Sequence, residues 1–177
     1  MPLLHPPTLD SFQAAGQGQC LQGQDVLQSF DRLLDQSQGQ GPDNPLTWQA
    51  RFEHVANPAY GNPRCLHLTV RVSVPQVCQR CLCPVDLAVA IDRSFRLVET
   101  EELASEQDAA STEDVLASSP AFDLAALIED EVLMALPMVP RHEVCQVALP
   151  ASVADADFAA DDPARPHPFA GLSRLKA

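Results

Sequence analysis

Hydrophobic and polar residues alternate strictly over residues 66–74. Leu66, Leu68, Val70, Val72 and Val74 share one parity, and His67, Thr69, Arg71 and Ser73 share the other. A period of two held this long predicts a β-strand with one buried face. The alternation returns from about 85 to 98, where Val85, Leu87, Val89, Ile91, Phe95 and Leu97 form the apolar row. Arg93 interrupts that row, which calls for either a bulge or a buried partner. Between the two runs lies Pro75-Gln-Val-Cys-Gln-Arg-Cys-Leu-Cys-Pro84. The pattern predicts a long antiparallel hairpin with cysteines at its tip.

Other segments have weaker periods. Trp48, Ala50 and Phe52 alternate with Gln49, Arg51 and Glu53, as in a half-buried strand. Residues 13–41 are rich in Gln and Gly. Within them Val26, Leu27, Phe30, Leu33 and Leu34 recur at helical spacing, which predicts a short amphipathic helix from about Asp25 to Asp35. Gly39 to Pro45 and Asn57 to Pro63 are dense in turn residues. Asp123 is a natural N-cap for a helix from Leu124 to Leu136, which Pro137 and Pro140 stop. Its wide apolar arc should cover a sheet face. Glu129 falls inside that arc, with Asp130 and Glu131 outside it. A carboxylate in an apolar arc needs a partner, and Arg93 is the candidate.

These elements predict an α+β fold, an antiparallel sheet built on the 65–98 hairpin with the 124–136 helix packed on it. Residues 1–150 read as one domain, with 1–45 peripheral. Residues 151–177 read as a flexible tail. Within the tail Phe169, Leu172 and Leu175 are spaced i, i+3, i+6 beside Arg174 and Lys176, which suggests a docking motif or a segment that folds back.

Charge narrows the functional classes. The chain carries 24 Asp and Glu against 11 Lys and Arg, a formal charge of −13. Broad RNA coating needs many cations and is excluded on this balance, as is an anionic membrane surface. A basic protein partner suits it better. From Glu99 to Asp114 there are seven carboxylates and no basic residue, read as a solvated acidic loop or an arm for a basic partner. The hairpin from Arg64 to Arg96 is the exception, with five arginines against two aspartates. Arg71 and Arg96 lie on the polar parity, and with Arg80 at the tip they are the candidate partner-binding cations. The start, Met1-Pro-Leu-Leu-His-Pro-Pro, lacks the charged and apolar regions of a signal peptide, so a cytosolic location is expected.

In that compartment, cysteines are thiols or metal ligands rather than disulfides. Cys78 and Cys81 form a C-x-x-C, and His142 and Cys145 form an H-x-x-C. Short-spaced pairs on two segments resemble a structural zinc site, because one turn supplies two ligands of a tetrahedron. Either His142 or Cys83 can complete a set of Cys78, Cys81 and Cys145. The redox reading of C-x-x-C fits less well, because it wants a helix N-terminus in a βαβ setting. No G-x-S-x-G, H-E-x-x-H, P-loop or G-x-G-x-x-G is present. An enzyme with a small-molecule substrate is therefore not expected.

Three blocks carry a family resemblance. Val77-Cys-Gln-Arg-Cys-Leu-Cys-Pro84 resembles the cysteine hairpin of the YceD-like proteins. Leu127 to Glu143 is similar to that family's acidic helix and its L-P-x-V-P-x-H exit, with Cys145 matching the cysteine that follows. Pro166-His-Pro-Phe-Ala-Gly-Leu-Ser-Arg-Leu-Lys176 resembles the family's ending. Cys83 and His167 depart from the pattern, and the departure of Cys83 argues against it as the family's fourth ligand. The resemblance implies a non-catalytic role in accumulation or processing of large-subunit (23S) ribosomal RNA during ribosome assembly. Together with the acidic charge, it makes a basic ribosomal protein or large-subunit pre-rRNA the expected partner. The alternative is a zinc-stabilised protein-interaction module without RNA contact. A nuclease is the third reading.

Overall fold

The computed structural model describes residues 5–55, 61–109, 111, 114–145, 147 and 169. Residues 1–145 form one compact unit and 146–177 a second. In chain order the elements are β1 (Thr8–Leu9), α1 (Ser11–Gln17), β2 (Cys20–Val26), a 3₁₀ turn (Leu27–Ser29), α2 (Asp31–Gln36), β3 (Pro45–His54), β4 (Arg64–Val77), β5 (Pro84–Val98), α3 (Glu101–Asp108), β6 (Asp114–Ala117), β7 (Phe122–Asp123) and α4 (Leu124–Ala135).

Alternation dictates the centre of the fold. β4 and β5 pair antiparallel in one unbroken register from Arg64↔Leu97 to Val77↔Pro84. β3 pairs antiparallel with β4, and β2 with β3. β6 joins the outer side of β5 in parallel over Phe95–Val98. The five-stranded order is β2-β3-β4-β5-β6, with β1 and β7 as a separate short pair. The α+β expectation holds.

Successive side chains point to opposite faces of a strand. One face carries Leu46, Trp48, Ala50 and Phe52 from β3, Leu66 to Val74 at even positions of β4, and Val89, Ile91, Phe95 and Leu97 from β5, all buried. Ala14 and Ala15 of α1, Leu33 of α2, and Leu124, Ile128 and Val132 of α4 pack with these residues in one core. The opposite parity, including His67, Thr69, Arg71 and Ser73, forms an open polar face. At the β5–β6 end, α3 covers that face, burying Ala104 and Val115.

Several expectations need correction. Arg93 causes no bulge, because it pairs with Leu68 in register. Nor does it meet Glu129. Its Nη1 donates to Glu131 Oε2 at 3.0 Å, and its Nη2 donates to Asp114 Oδ2. Glu129 accepts from Arg32 Nε at 2.7 Å and from the backbone N–H groups of Arg32 and Leu33 at 2.8 and 3.3 Å. It thus caps α2 from another helix, because Phe30 at the N-cap offers no polar side chain. Both acids border the buried Leu124–Ile128–Val132 stripe on opposite flanks, one at +100° and one at about −60° from Ile128, as 3.6 residues per turn requires. Glu131, expected outside the apolar arc, is 4% exposed.

The expected 25–35 helix is divided. Residues 20–26 form β2 and only 31–36 are α-helical, because the sheet edge offers β2 a full ladder with β3. The first 45 residues, expected at the periphery, supply Ala14, Ala15, Leu27, Phe30 and Leu33 to the core. The acidic stretch is not all loop. Thr100 caps α3, its side chain accepting from Leu103 N, and Glu101 and Glu102 occupy the first turn, where the helix dipole favours them. The expected 124–136 helix and its Asp123 cap are present.

Candidate metal centre

The hairpin closes at Val77↔Pro84, and residues 78–83 make the tip. Cys78 N donates to Cys83 O at 2.9 Å, and Leu82 N donates to Cys78 O at 2.8 Å. The turn forces Leu82 to φ +57°, a left-handed value that bulky residues seldom adopt. Leu136 leaves α4 in extended conformation, and Pro137 and Pro140 prevent the helix from resuming. The segment that follows returns to the tip, where Gln79 N donates to Pro140 O at 2.8 Å.

This closure brings together Cys78, Cys81, His142 and Cys145. Their ligand atoms all lie within 4.8 Å of one another. Cys78 Sγ is 3.9 Å from Cys145 Sγ, and Cys81 Sγ is 3.4 Å from His142 Nδ1. Around a tetrahedral Zn²⁺ with bonds near 2.3 Å to sulfur and 2.0 Å to nitrogen, those edges are about 3.8 Å and about 3.5 Å. The four residues fit such an ion. Cys83 is outside the group, its Sγ directed to Cys81 O at 3.5 Å, so His142 is the fourth member.

The electrostatics suit a cation. Burial disfavours a charged Cys78, yet the backbone N–H groups of Cys81, His142 and Arg80, with the Cys81 thiol, bring its pKa to about 5. Burial and the neighbouring thiols of Cys81 and Cys78 raise Cys145 above its ordinary value, against the opposing bond from Arg80. One thiolate therefore forms readily and resists a second beside it. A divalent ion removes that conflict by replacing the protons.

Arg80, expected to face a partner, turns onto this cluster. Its Nε donates to Cys145 Sγ at 2.9 Å, and its Nη2 donates to the carbonyls of His142 and Glu143 at 3.1 and 3.4 Å. It ties the second ligand pair to the tip, as outer partners of metal ligands do. Leu82 (75% exposed), beside Cys81, and Val144, beside Cys145, stand in solvent, as do Met138 (96%) and Val139 on the segment after α4.

The other sequence-selected residues are dispersed. Arg71 is exposed on the open face. Arg96, expected on the same exposed face, is only 4% exposed beneath α3, and its Nη1 donates to Gln107 Oε1. Phe169 is exposed, and Leu172 and Leu175 lie outside the described residues. Sequence reading missed Arg32, whose sole signal is a basic residue beside a weak helix start, and the His67 Nε2–Asp92 Oδ1 contact of 2.7 Å. The latter is a diagonal cross-strand pair, readable only once the β4–β5 register is known. Among the described residues, no helix is long and apolar enough to cross a membrane.

No solved structure gives a significant match to this chain. The sequence does match the family described as "Large ribosomal RNA subunit accumulation protein YceD" over residues 66–176. That span takes in β4 from Leu66 onward, the tip, α4 and all four clustered residues, more than half of the chain, which therefore belongs to the YceD family.

Proposed function

We propose that the protein is a non-catalytic factor for the accumulation of large-subunit ribosomal RNA, acting in ribosome assembly by binding a basic ribosomal protein or pre-rRNA. The observation that carries this reading is the family match, which spans the cysteine hairpin and α4 together. The Cys78–Cys81–His142–Cys145 cluster holds a structural Zn²⁺ in this reading. All four positions are then filled by protein, which leaves no open site for water or substrate. The ion's role is to join the tip to the segment after α4, so that both present one surface.

Deleting the gene in a host that carries it should lower mature large-subunit RNA relative to small-subunit RNA. A Cys78→Ser copy should restore it poorly. Unchanged RNA levels on deletion would overturn the reading.

A second reading, a zinc-stabilised protein-interaction module without RNA contact, is favoured by one observation. Leu82 and Val144 stand in solvent beside cluster cysteines, and Met138 is exposed on the segment after α4; exposed apolar groups of this kind mark protein contacts. RNA levels restored by a chain that binds no RNA in solution would support it.

A further inference from the structure

The open face of the sheet carries a feature that neither the metal cluster nor the family match accounts for. At the end of β3, β4 and β5 remote from the tip, a cavity of about 390 Å³ is lined by Arg51, Glu53, His67, Ser94 and Arg96, among others. The lining holds Arg51 and Arg96 against Glu53, with His67 in contact with Asp92 Oδ1 at 2.7 Å, in a chain whose net charge is −13. Two other grooves carry more acid. One is lined by Asp10 and Glu99, and another combines Asp86 and Glu143 with Arg141 and His142.

The strands explain why these cations converge. Arg51 stands opposite His67 in the β3–β4 ladder. Ser94 stands opposite His67 in the β4–β5 ladder, and Arg96 opposite Cys65. All therefore share the open parity. Arg71 lies on the same parity four residues along β4 from His67, about 13 Å away at ~3.3 Å per residue. It lines two other grooves with Thr47, one of which also holds Asp86. Arg51 is held only loosely, with Nη1 3.9 Å from Glu53 Oε1 and both side chains well exposed. Such a pair contributes little and yields readily to a better anion. Among the described residues, no ion pair engages Arg71.

We infer that the cavity at Arg51, His67 and Ser94 binds a phosphate group of a single-stranded RNA, with Arg96 adding charge from its buried position and Arg71 taking a phosphate farther along the strand. Guanidinium groups match phosphate oxygens in geometry and charge. The single tryptophan is buried on the other face at Trp48. Bases would find no indole to stack on, so contact runs through the backbone and reads little sequence. The distant acids weaken binding less than their number suggests, because salt screens charges beyond about 8–10 Å. This inference deepens the proposed role by naming RNA as a direct ligand, and it rests on that reading for its biological meaning.

The test uses the full chain and three probes: a mixed-sequence ten-nucleotide RNA, inorganic phosphate, and a polyglutamate peptide. RNA should move the backbone amide signals of His67, Thr69 and Ser94. Phosphate alone should move His67 and Ser94 at higher concentration. With two phosphates neutralised, log K should fall with log salt at a slope of about −1.4, and Arg71→Gln should reduce that slope by about 0.7. Arg51→Gln should weaken RNA binding at least fivefold with an unchanged melting temperature. Arg51→Lys should restore part of the loss. RNA affinity unaffected by either substitution, or polyglutamate binding as tightly as RNA, would overturn the inference. An Arg51→Gln, Arg71→Gln chain that still restores RNA accumulation in the deletion host would sink this site and leave the assembly role standing. Normal accumulation in the deletion host itself would sink the role instead.

Discussion

The body of the β4–β5 hairpin and its tip are built from one continuous stretch of chain but are held by different forces. In the body, Leu66, Leu68, Val70 and Val74 are almost fully buried under three helices. Burial of that kind stabilises by roughly 1.5–3 kcal/mol per large side chain. At the tip only Cys78 is buried among residues 78–83, while Leu82 projects into solvent. A turn of this size cannot hold itself by burial. Its order comes from backbone bonds, from Arg80 and, on the proposed function, from a metal ion. The body should therefore fail by cavity or unpaired charge, and the tip by loss of a ligand.

The largest effect expected is in the body. Leu68→Ala empties a site between Ala50 and Arg93 and should cost about 2–5 kcal/mol in urea unfolding. A cost below about 1 kcal/mol would mean that this face is not the core. Glu129→Ala is next. It removes a buried carboxylate and strands the α2 N–H groups, for about 2 kcal/mol, while Arg32 keeps Asp130. Hydrogen exchange should localise the damage to residues 31–36 as well as α4. Exchange that rises only in α4 would contradict the cap.

Cys145→Ser addresses the other side of the comparison. Zinc binding should be lost, and amide exchange at residues 78–83 should rise by at least tenfold. Global unfolding should change less than in Leu68→Ala. A global loss as large as that of the core variant would show that tip and body are one cooperative unit.

The smallest effect is expected at Asp25, at the edge strand of the body. It accepts from Ser29 Oγ at 2.6 Å and Val26 N at 2.8 Å, and contacts His5 Nδ1 at 2.6 Å. Burial opposes its charge, but these bonds prevail and hold its pKa below the ordinary aspartate value. A depressed carboxylate pKa stabilises the fold above the unfolded-state value, and that contribution disappears as pH falls through the folded-state value. Asp25→Asn should cost about 1 kcal/mol at pH 7. The difference from the parent chain should close as pH falls below the folded-state value, and a difference that persists there would contradict the charge as its cause.

The same contrast explains what could be read from the chain before its fold was known. Strict alternation made β4 and β5 legible, because a one-residue slip would expose the whole apolar row. The ligand cluster was legible from two short-spaced pairs, although the choice between His142 and Cys83 awaited the turn geometry. The Arg93 partner was sought on the correct helix but two residues too early. A wheel shows which residues border an apolar stripe, not which neighbour lies on each flank. The division of 20–36 into strand and helix was illegible for a related reason. Val26 and Leu27 suit either element, and the ladder with β3 decides between them. Arg96 had the parity of an exposed residue, and only the β5–α3–β6 crossover buries it.

The proposed role depends most on a tip held by metal. Elemental analysis of the intact chain, purified without added metal and measured alongside its native mass, tests this most directly. One zinc per chain is expected, absent from Cys78→Ser and Cys145→Ser and retained by Cys83→Ser. A metal-free chain whose tip amides exchange at the same rate with and without added zinc would contradict it.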